Sequence, residues 1–123
     1  MHRLCRVDIE RSGEISGKIE NYVREVINQL NPYLVVLFGS FATGDVNEGS
    51  DVDIMVVADF KESFLDRIKT LMDLNVFKIP VEPIGYTLEE FREMMRRKNP
   101  FIMEVVEKGR TMHKGSELQI LGS

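Results

Sequence analysis

Two short motifs, separated by ten residues, could act on one substrate. They are Gly39-Ser40 and the aspartates Asp51 and Asp53. Aspartates separated by one residue on a strand point to the same face, so their carboxylates lie side by side. Such a pair suits Mg²⁺, which keeps water and substrate phosphates as its other ligands. At a glycine turn that opens a helix, backbone N–H groups can bind phosphate oxygens, because glycine has no Cβ to prevent close approach. The spacing predicts a site for a divalent cation and a phosphate-bearing substrate.

A third carboxylate, Glu82, joins this pair if the strands that carry the acids run in suitable directions. The glycine turn follows the strand 34–38, whereas the aspartates lie at the start of the strand 52–57, so these two strands must be antiparallel. Glu82 lies near the start of a third strand, 81–86, and reaches the same edge if the second and third strands are parallel. Pro83 cannot donate to a strand ladder, which places the third strand at a sheet edge. We therefore expect a mixed sheet in the order 1-2-3.

The helices that support this sheet follow from apolar periodicity and capping signals. Apolar residues at helical spacing predict a first helix from Gly13 to Leu30. Asp59 and Glu62 form a capping-box pattern for a second helix. Its predicted apolar face consists of Phe64, Leu65, Ile68, Leu71 and Met72.

Two more helices and a short strand are predicted in the last third of the chain. Thr87 with Glu90 predicts the start of a third helix, and Asn99-Pro100 begins a fourth that ends at Gly109. A last strand is predicted at 110–113. The fold class is therefore α/β, with a small mixed sheet and helices packed on it. We expect one domain at 1–114 and a loose tail at 115–123.

The composition limits what this domain can bind. The 123 residues are 43% apolar and 29% charged, as in a soluble globular protein. A net charge of −4 and a pI of about 5.2 give no overall positive field, so we expect no broad nucleic-acid binding. One cysteine and two histidines provide no internal disulfide and no zinc site, so any metal must have oxygen ligands. The sequence has no apolar segment typical of a membrane span or signal peptide, so we expect a cytoplasmic protein that does not contact membranes.

The pattern Gly-Ser, ten residues, Asp-x-Asp resembles the signature of the nucleotidyltransferase superfamily that includes DNA polymerase beta and the kanamycin nucleotidyltransferases. The resemblance covers residues 15–113, and the short length is similar to that of the minimal nucleotidyltransferases. It implies a nucleotidyltransferase-type palm that moves a nucleoside monophosphate from a nucleoside triphosphate, ATP by preference, to an acceptor hydroxyl. It also implies two Mg²⁺ ions, for which Mn²⁺ can substitute, held about 3.5 to 4 Å apart.

The resemblance assigns a role to each residue of the site. Gly39 and Ser40 match the loop that holds the β- and γ-phosphates, and Ser50 orients the neighbouring acid as part of the nucleotide site. Asp51 and Asp53 match the catalytic metal pair. Glu82 takes the place of the third catalytic and metal-binding carboxylate, where aspartate is usual, and helps to deprotonate the acceptor hydroxyl.

The resemblance also bears on partners, because minimal members resemble the antitoxins of toxin–antitoxin modules. Their partner is a helical HEPN-type ribonuclease, and some of them modify a tyrosine of that partner. We expect a partner to dock near the third and fourth helices. A module that only binds its partner would need an apolar patch, for which the candidates are Phe91, Met94, Met95, Phe101 and Ile102. Two alternatives stay open: a catalytically vestigial module that neutralises a partner by association, and transfer to a small molecule. A further reading of the two aspartates is a solvated acidic loop before a buried strand.

Overall fold

The computed structural model describes residues 2–39, 42 and 51–115. Ser40 and Ser50 lie outside the described residues, and so does the predicted tail apart from Gly115. In chain order the elements are α1 (His2–Leu30), β1 (Leu34–Phe38), β2 (Val52–Val57), α2 (Phe64–Asp73), β3 (Val81–Tyr86), α3 (Leu88–Arg96), α4 (Pro100–Lys108) and β4 (Arg110–Lys114).

The sheet is mixed and has the strand order β3-β2-β1-β4. β1 pairs antiparallel with β2, and β2 pairs parallel with β3, so the predicted fold class, strand directions and 1-2-3 order are confirmed. β4 adds to the outer side of β1 in antiparallel orientation. Pro83 lies on the edge strand β3, where its missing N–H does not interrupt an inner ladder.

Both faces of the sheet are covered by helices, because alternate residues of the inner strands are apolar on each side. Ile54 and Val56 of β2 pack in a core cluster that includes residues of α1 and α2. Met55 and Val57 pack on the other face in a cluster that includes residues of α3 and α4. The domain thus has three layers. The ends of the strands are left open between the two layers of helices.

The first helix is longer than predicted, since α1 begins at His2 and not at Gly13. The prediction followed the apolar residues at helical spacing, but the helix continues through Gly13, since glycine inside a helix costs only about 1 kcal/mol and does not by itself end one. The C-terminal half of α1 is anchored by fully buried Tyr22 and Val26, and the Tyr22 hydroxyl donates a hydrogen bond to the Leu71 carbonyl oxygen at 2.6 Å. None of the helices in the described part of the chain is long and apolar enough to cross a membrane.

The predicted capping box of the second helix is wrong. The N-cap of α2 is Ser63, and its side chain makes no capping hydrogen bond. Asp59 instead accepts a hydrogen bond from the Tyr33 hydroxyl at 2.9 Å, and Glu62 accepts one from Thr70 Oγ1 at 2.9 Å. Both acids bind residues outside the four-residue capping pattern, so that pattern does not reveal their partners.

The apolar face predicted for this helix is also only partly correct. Leu71 is fully buried, but Leu65 is 74% exposed and Met72 is 52% exposed. Arg67 is buried in their place. The stripe of apolar residues on α2 is wider than the strip of helix that contacts the sheet, so its outer members face solvent.

The third and fourth helices begin as predicted, and the fourth also ends as predicted. The capping box between Thr87 and Glu90 is present, the Asn99 side chain accepts hydrogen bonds from the first backbone N–H groups of α4, and Gly109 is the C-cap. Of the five residues considered for an apolar patch on these helices, Phe91 and Ile102 are fully buried and belong to the core, whereas Phe101 is 37% exposed.

Candidate active site

The acids of β2 and β3 lie at one edge of the sheet, as the sequence predicted. Asp53 is the register partner of Glu82 on β3 and of Phe38 on β1. Val52 and Ile54, on either side of Asp53, face the α1 and α2 layer, so Asp53 points to the α3 and α4 side. The same alternation places Glu82 on that side, and Asp51 is two residues before Asp53. Three carboxylates thus share one edge and one face.

The three carboxylates repel one another, and this changes the affinity of two of them for protons. The negative charge of Asp51, followed by that of Asp53, raises the pKa of Glu82. Burial raises the pKa of Asp53, the nearby charge of Asp51 adds to the rise, and a hydrogen bond with Glu82 opposes it. Within the described ranges, no lysine or arginine forms an ion pair with any of the three acids. The edge therefore carries uncompensated negative charge.

Gly39 forms the turn beside these acids, and only glycine fits there. Its φ is +73°, a left-handed conformation that side chains disfavour. A Cβ at this position would lie 2.3 Å from Asp53 Oδ2, far closer than atoms approach. The Ala42 N–H donates to the Gly39 carbonyl oxygen at 3.0 Å, so the chain turns sharply directly after β1. Of the three predicted nucleotide-binding residues, Gly39 is the one that the structure places, and it contacts the acid cluster.

The donor set suits a hard divalent cation, although the side chains are not arranged around one. In the described part of the chain, no group of three or more histidine, cysteine, aspartate or glutamate side chains is arranged to hold a metal ion. The three side chains lie close enough for the charges of Asp51 and Asp53 to raise the pKa of Glu82. Oxygen ligands with uncompensated negative charge are nevertheless what Mg²⁺ prefers. Asp51 and Glu82 are exposed, so their side chains are free to change rotamer.

The sequence prediction did not consider Phe38 as part of this edge. It directly precedes Gly39 and lies opposite Asp53 in the β1–β2 ladder. Its ring packs edge-to-face against Phe101 of α4, with ring centroids 5.5 Å apart. The register that follows from antiparallel pairing of the two strands would have indicated this neighbour, since it places the last residue of β1 beside the first acids of β2.

The mixed sheet, the glycine turn and the acids at the starts of β2 and β3 define a nucleotidyltransferase-type palm. The family model described as a nucleotidyltransferase domain matches residues 19–111, and the chain belongs to this family. The predicted family and class of enzyme are thereby confirmed.

Individual relatives agree with this assignment. A Methanocaldococcus jannaschii protein named "putative protein adenylyltransferase" is 28% identical over 100 residues, which are 76% of this chain and 97% of that protein. A structure titled a "putative nucleotidyltransferase" from Sulfolobus solfataricus shares the fold, with a TM-score of 0.62, 22% identity and coverage of 86% of both chains. The fold is also shared with a structure titled a toxin–antitoxin with AMP-PNP, with a TM-score of 0.54 and 19% identity over 83% of this chain and 78% of that chain.

Proposed function

We propose that this nucleotidyltransferase moves the nucleoside monophosphate of ATP to a hydroxyl group of a partner protein, with release of pyrophosphate. The observation that supports this most is the edge where Asp51, Asp53 and Glu82 lie beside the Gly39 turn, with no ion pair to any lysine or arginine among the described residues. A phosphate-binding turn and a metal-binding acid cluster must be adjacent for transfer at the α-phosphorus. The name of the M. jannaschii relative supports both an adenylyl group and a protein acceptor.

The residues proposed to hold Mg²⁺, or Mn²⁺ in its place, are Asp51 and Asp53 with Glu82. When bound, two such ions would neutralise charge on the triphosphate and on the attacking and leaving oxygens. Asp53 is the most firmly placed of these ligands, because it is half-buried between β1 and β3. A triphosphate bound through this ligand would lie beside the Gly39 turn.

The proposed reaction is an in-line displacement at the α-phosphorus. Backbone N–H groups of the Gly39 turn, together with Ser40 and Ser50, hold the triphosphate and orient the α-phosphorus. The acceptor hydroxyl loses its proton to the Glu82 carboxylate while its oxygen forms a bond to the α-phosphorus. The bond from the α-phosphorus to the bridging oxygen of the β-phosphate breaks, and pyrophosphate leaves with the electron pair.

A protein acceptor is favoured by the openness of this edge. Glu82 is exposed and lies on the edge strand, so no second wall of the described chain covers the position from which an acceptor would approach. Correct orientation of an acceptor is worth several kcal/mol of the barrier, and a docked protein supplies it through its own surface. We propose a separately encoded helical partner of the HEPN type. The shared fold with a toxin–antitoxin structure supports a partner of this kind.

The test is to mix the purified protein with Mg²⁺, ATP labelled at the α-phosphate, and the protein encoded by the adjacent gene. We expect label on the partner, and its loss with Asp53→Asn. Asp66→Asn is the matched control and should keep full transfer, because it removes an exposed carboxylate from the first turn of α2, where Phe64 packs on Tyr86 at the opposite end of β3 from Glu82. Tight association without label would favour the vestigial binding module, and labelling of a small hydroxylated compound by the isolated chain would contradict the protein acceptor.

A further inference from the structure

A cavity of about 190 Å³ lies between the end of β1 and the helix α4, directly beside the proposed phosphate site. It is lined by Phe38 and Gly39 on the sheet side and by Phe101, Glu104 and Lys108 on the helix side. We refer to it as the Phe38–Phe101 cavity. Gly39 is common to this cavity and to the acid cluster, because its backbone also contacts the Asp53 carboxylate. A ligand in the cavity would therefore be continuous with one at the acids.

The walls of this cavity suit a flat aromatic group. The rings of Phe38 and Phe101 stand nearly perpendicular, at 83°, so they present an edge and a face to a third ring. Phe101 is 37% exposed, whereas Phe91 on the neighbouring helix is fully buried. An aromatic side chain that is left partly open at the mouth of a cavity provides a stacking surface for planar ligands.

The rim of the cavity adds a hydrogen-bond acceptor and a donor one helical turn apart. Glu104 Oε1 and Lys108 Nζ lie 3.6 Å from each other, and both side chains are well exposed. Such an exposed pair contributes little to stability, so it is free to exchange its partner for a ligand. A carboxylate accepts from amino groups and an ammonium donates to ring nitrogens or carbonyl oxygens. These are the groups on the edge of a nucleobase.

The position of the cavity along the sheet distinguishes the two reactants. The order of the strands places Glu82 on β3, Asp53 on β2 and Phe38 on β1. Under the proposed function the acceptor meets Glu82, on the far side of Asp53 from the cavity. The cavity therefore lies on the side of the nucleotide, next to the turn that holds its phosphates.

We propose that the Phe38–Phe101 cavity binds the nucleobase of the nucleoside triphosphate. The base stacks on Phe101 and Phe38, and its polar edge contacts Glu104 and Lys108. The inference rests on the proposed function for the location of the phosphates, but it concerns a different part of the substrate and different residues. It explains why an aromatic residue is left partly exposed on α4, beside the acid edge.

The test separates base from phosphate by calorimetric titration of the full chain, in Mg²⁺, with ATP and with inorganic triphosphate. We expect ATP to bind more tightly than inorganic triphosphate, and Phe101→Ala to weaken ATP binding about tenfold, as for loss of one stacking contact. Binding of inorganic triphosphate should stay unchanged in this variant. Phe64→Ala is the matched control, because Phe64 is 40% exposed and packs on Tyr86, at the opposite end of β3 from Glu82. It should leave both affinities unchanged.

Each other outcome overturns a defined part of the argument. Equal binding of the two ligands, with no effect of Phe101→Ala, would overturn the base site and leave the phosphate site standing. Binding of neither ligand would overturn the proposed function itself. Loss of transfer to the partner with unchanged ATP affinity would show that the cavity receives an aromatic group of the acceptor. Should Phe101→Ala melt at a lower temperature than the wild type, Phe101→Leu keeps the apolar volume and removes only the ring.

Discussion

The two ends of the central sheet both carry charged residues, and they handle charge in opposite ways. At the starts of β2 and β3, Asp53 and Glu82 lie beside Asp51, and no lysine or arginine in the described part of the chain forms an ion pair with them. Near the end of β3, the buried Arg67 forms an ion pair with Glu90, with 2.7 Å between Nη1 and Oε1. Among the described residues, the acids at the first end have no cationic partner, whereas the acid at the second end is paired with an arginine.

The contacts of Arg67 show how completely the second end is satisfied. Its Nε donates to the Glu62 carbonyl oxygen at 2.9 Å, its Nη1 also reaches the Gly85 carbonyl oxygen, and its guanidinium lies 5.6 Å from the centre of the Phe60 ring. Partial burial tends to raise the pKa of Glu90, yet hydrogen bonds from Arg67 and Thr87 hold it below its ordinary value. Charged side chains that pair within the protein stabilise the fold. A cluster of like charges without such partners is instead typical of a functional site.

The largest difference between the two ends should be in catalysis. Asp53→Asn removes the best-placed acid and should lower label transfer by about a thousandfold, as expected for losing several kcal/mol of transition-state stabilisation. Glu90→Gln removes a carboxylate from the other end and should leave transfer by the folded protein unchanged. Comparable losses in both variants would show that the two ends do not differ in function.

The next largest difference should be in stability. Arg67→Met keeps much of the volume but leaves the Glu62 and Gly85 carbonyl oxygens and the Glu90 carboxylate without their donor. We expect a loss of about 2 kcal/mol, below the range for fully buried pairs because the Glu90 side chain is 43% exposed. Urea denaturation measures this value. A variant as stable as the wild type would mean that the contacts of Arg67 contribute nothing net to the fold.

Substitution of Gly39, beside the acids, should have the opposite effect on stability from substitution of Gly17 in α1. Gly39→Ala puts a Cβ against Asp53 at a positive φ, so we expect it to destabilise the fold by about 1 to 2 kcal/mol and to impair ATP binding. Gly17→Ala is the control, since a Cβ there meets nothing within 4 Å in the middle of α1, and it should stabilise by about 0.5 to 1 kcal/mol. If both variants gained stability, the tight approach of Gly39 to Asp53 would be refuted.

The smallest effect concerns pH in the absence of metal. Because the pKa of Asp53 is raised in the folded state, the folded chain binds a proton more readily than the unfolded chain. The stability contribution of Asp53 is therefore lost as pH rises from its ordinary value of 3.8 through the raised pKa. In EDTA, Asp53→Asn should melt slightly above the wild type near neutral pH, and this advantage should vanish below pH 3.8.

Added Mg²⁺ provides the control for this experiment. It should raise the melting temperature of the wild type with ATP and reverse the order of the two proteins, since the variant loses a metal ligand. A melting temperature for Asp53→Asn far below that of the wild type in EDTA would instead assign Asp53 a structural role.

Strand directions could be predicted from the sequence because the chemistry required them. A phosphate turn at the end of β1 and acids at the start of β2 meet only in an antiparallel pair, and the structure has that pair. The capping signals of α3 and α4 were equally informative, since their hydrogen bonds are local and appear as short patterns such as Thr87 to Glu90.

Features that depend on distant residues could not be predicted in this way. The burial of Arg67 requires Glu90, which lies 23 positions away on another helix. The apolar periodicity of α2 therefore predicted that Leu65 and Met72 are buried, although both are exposed. In the candidate site, the acids were evident from their spacing. The Phe38–Phe101 cavity was not, because it depends on how α4 packs against the end of β1.

The proline of β3 has a consequence for how copies of this protein behave near one another. An exposed edge strand offers unpaired backbone groups to which the strand of another molecule can add, and this is a common route to aggregation. Pro83 lacks the N–H that a continuous ladder would need, and the neighbouring Glu82 places a negative charge on the same edge. Pairing with the edge strand of another copy is thereby disfavoured at β3. Even at high protein concentration, β3 therefore stays accessible to the acceptor.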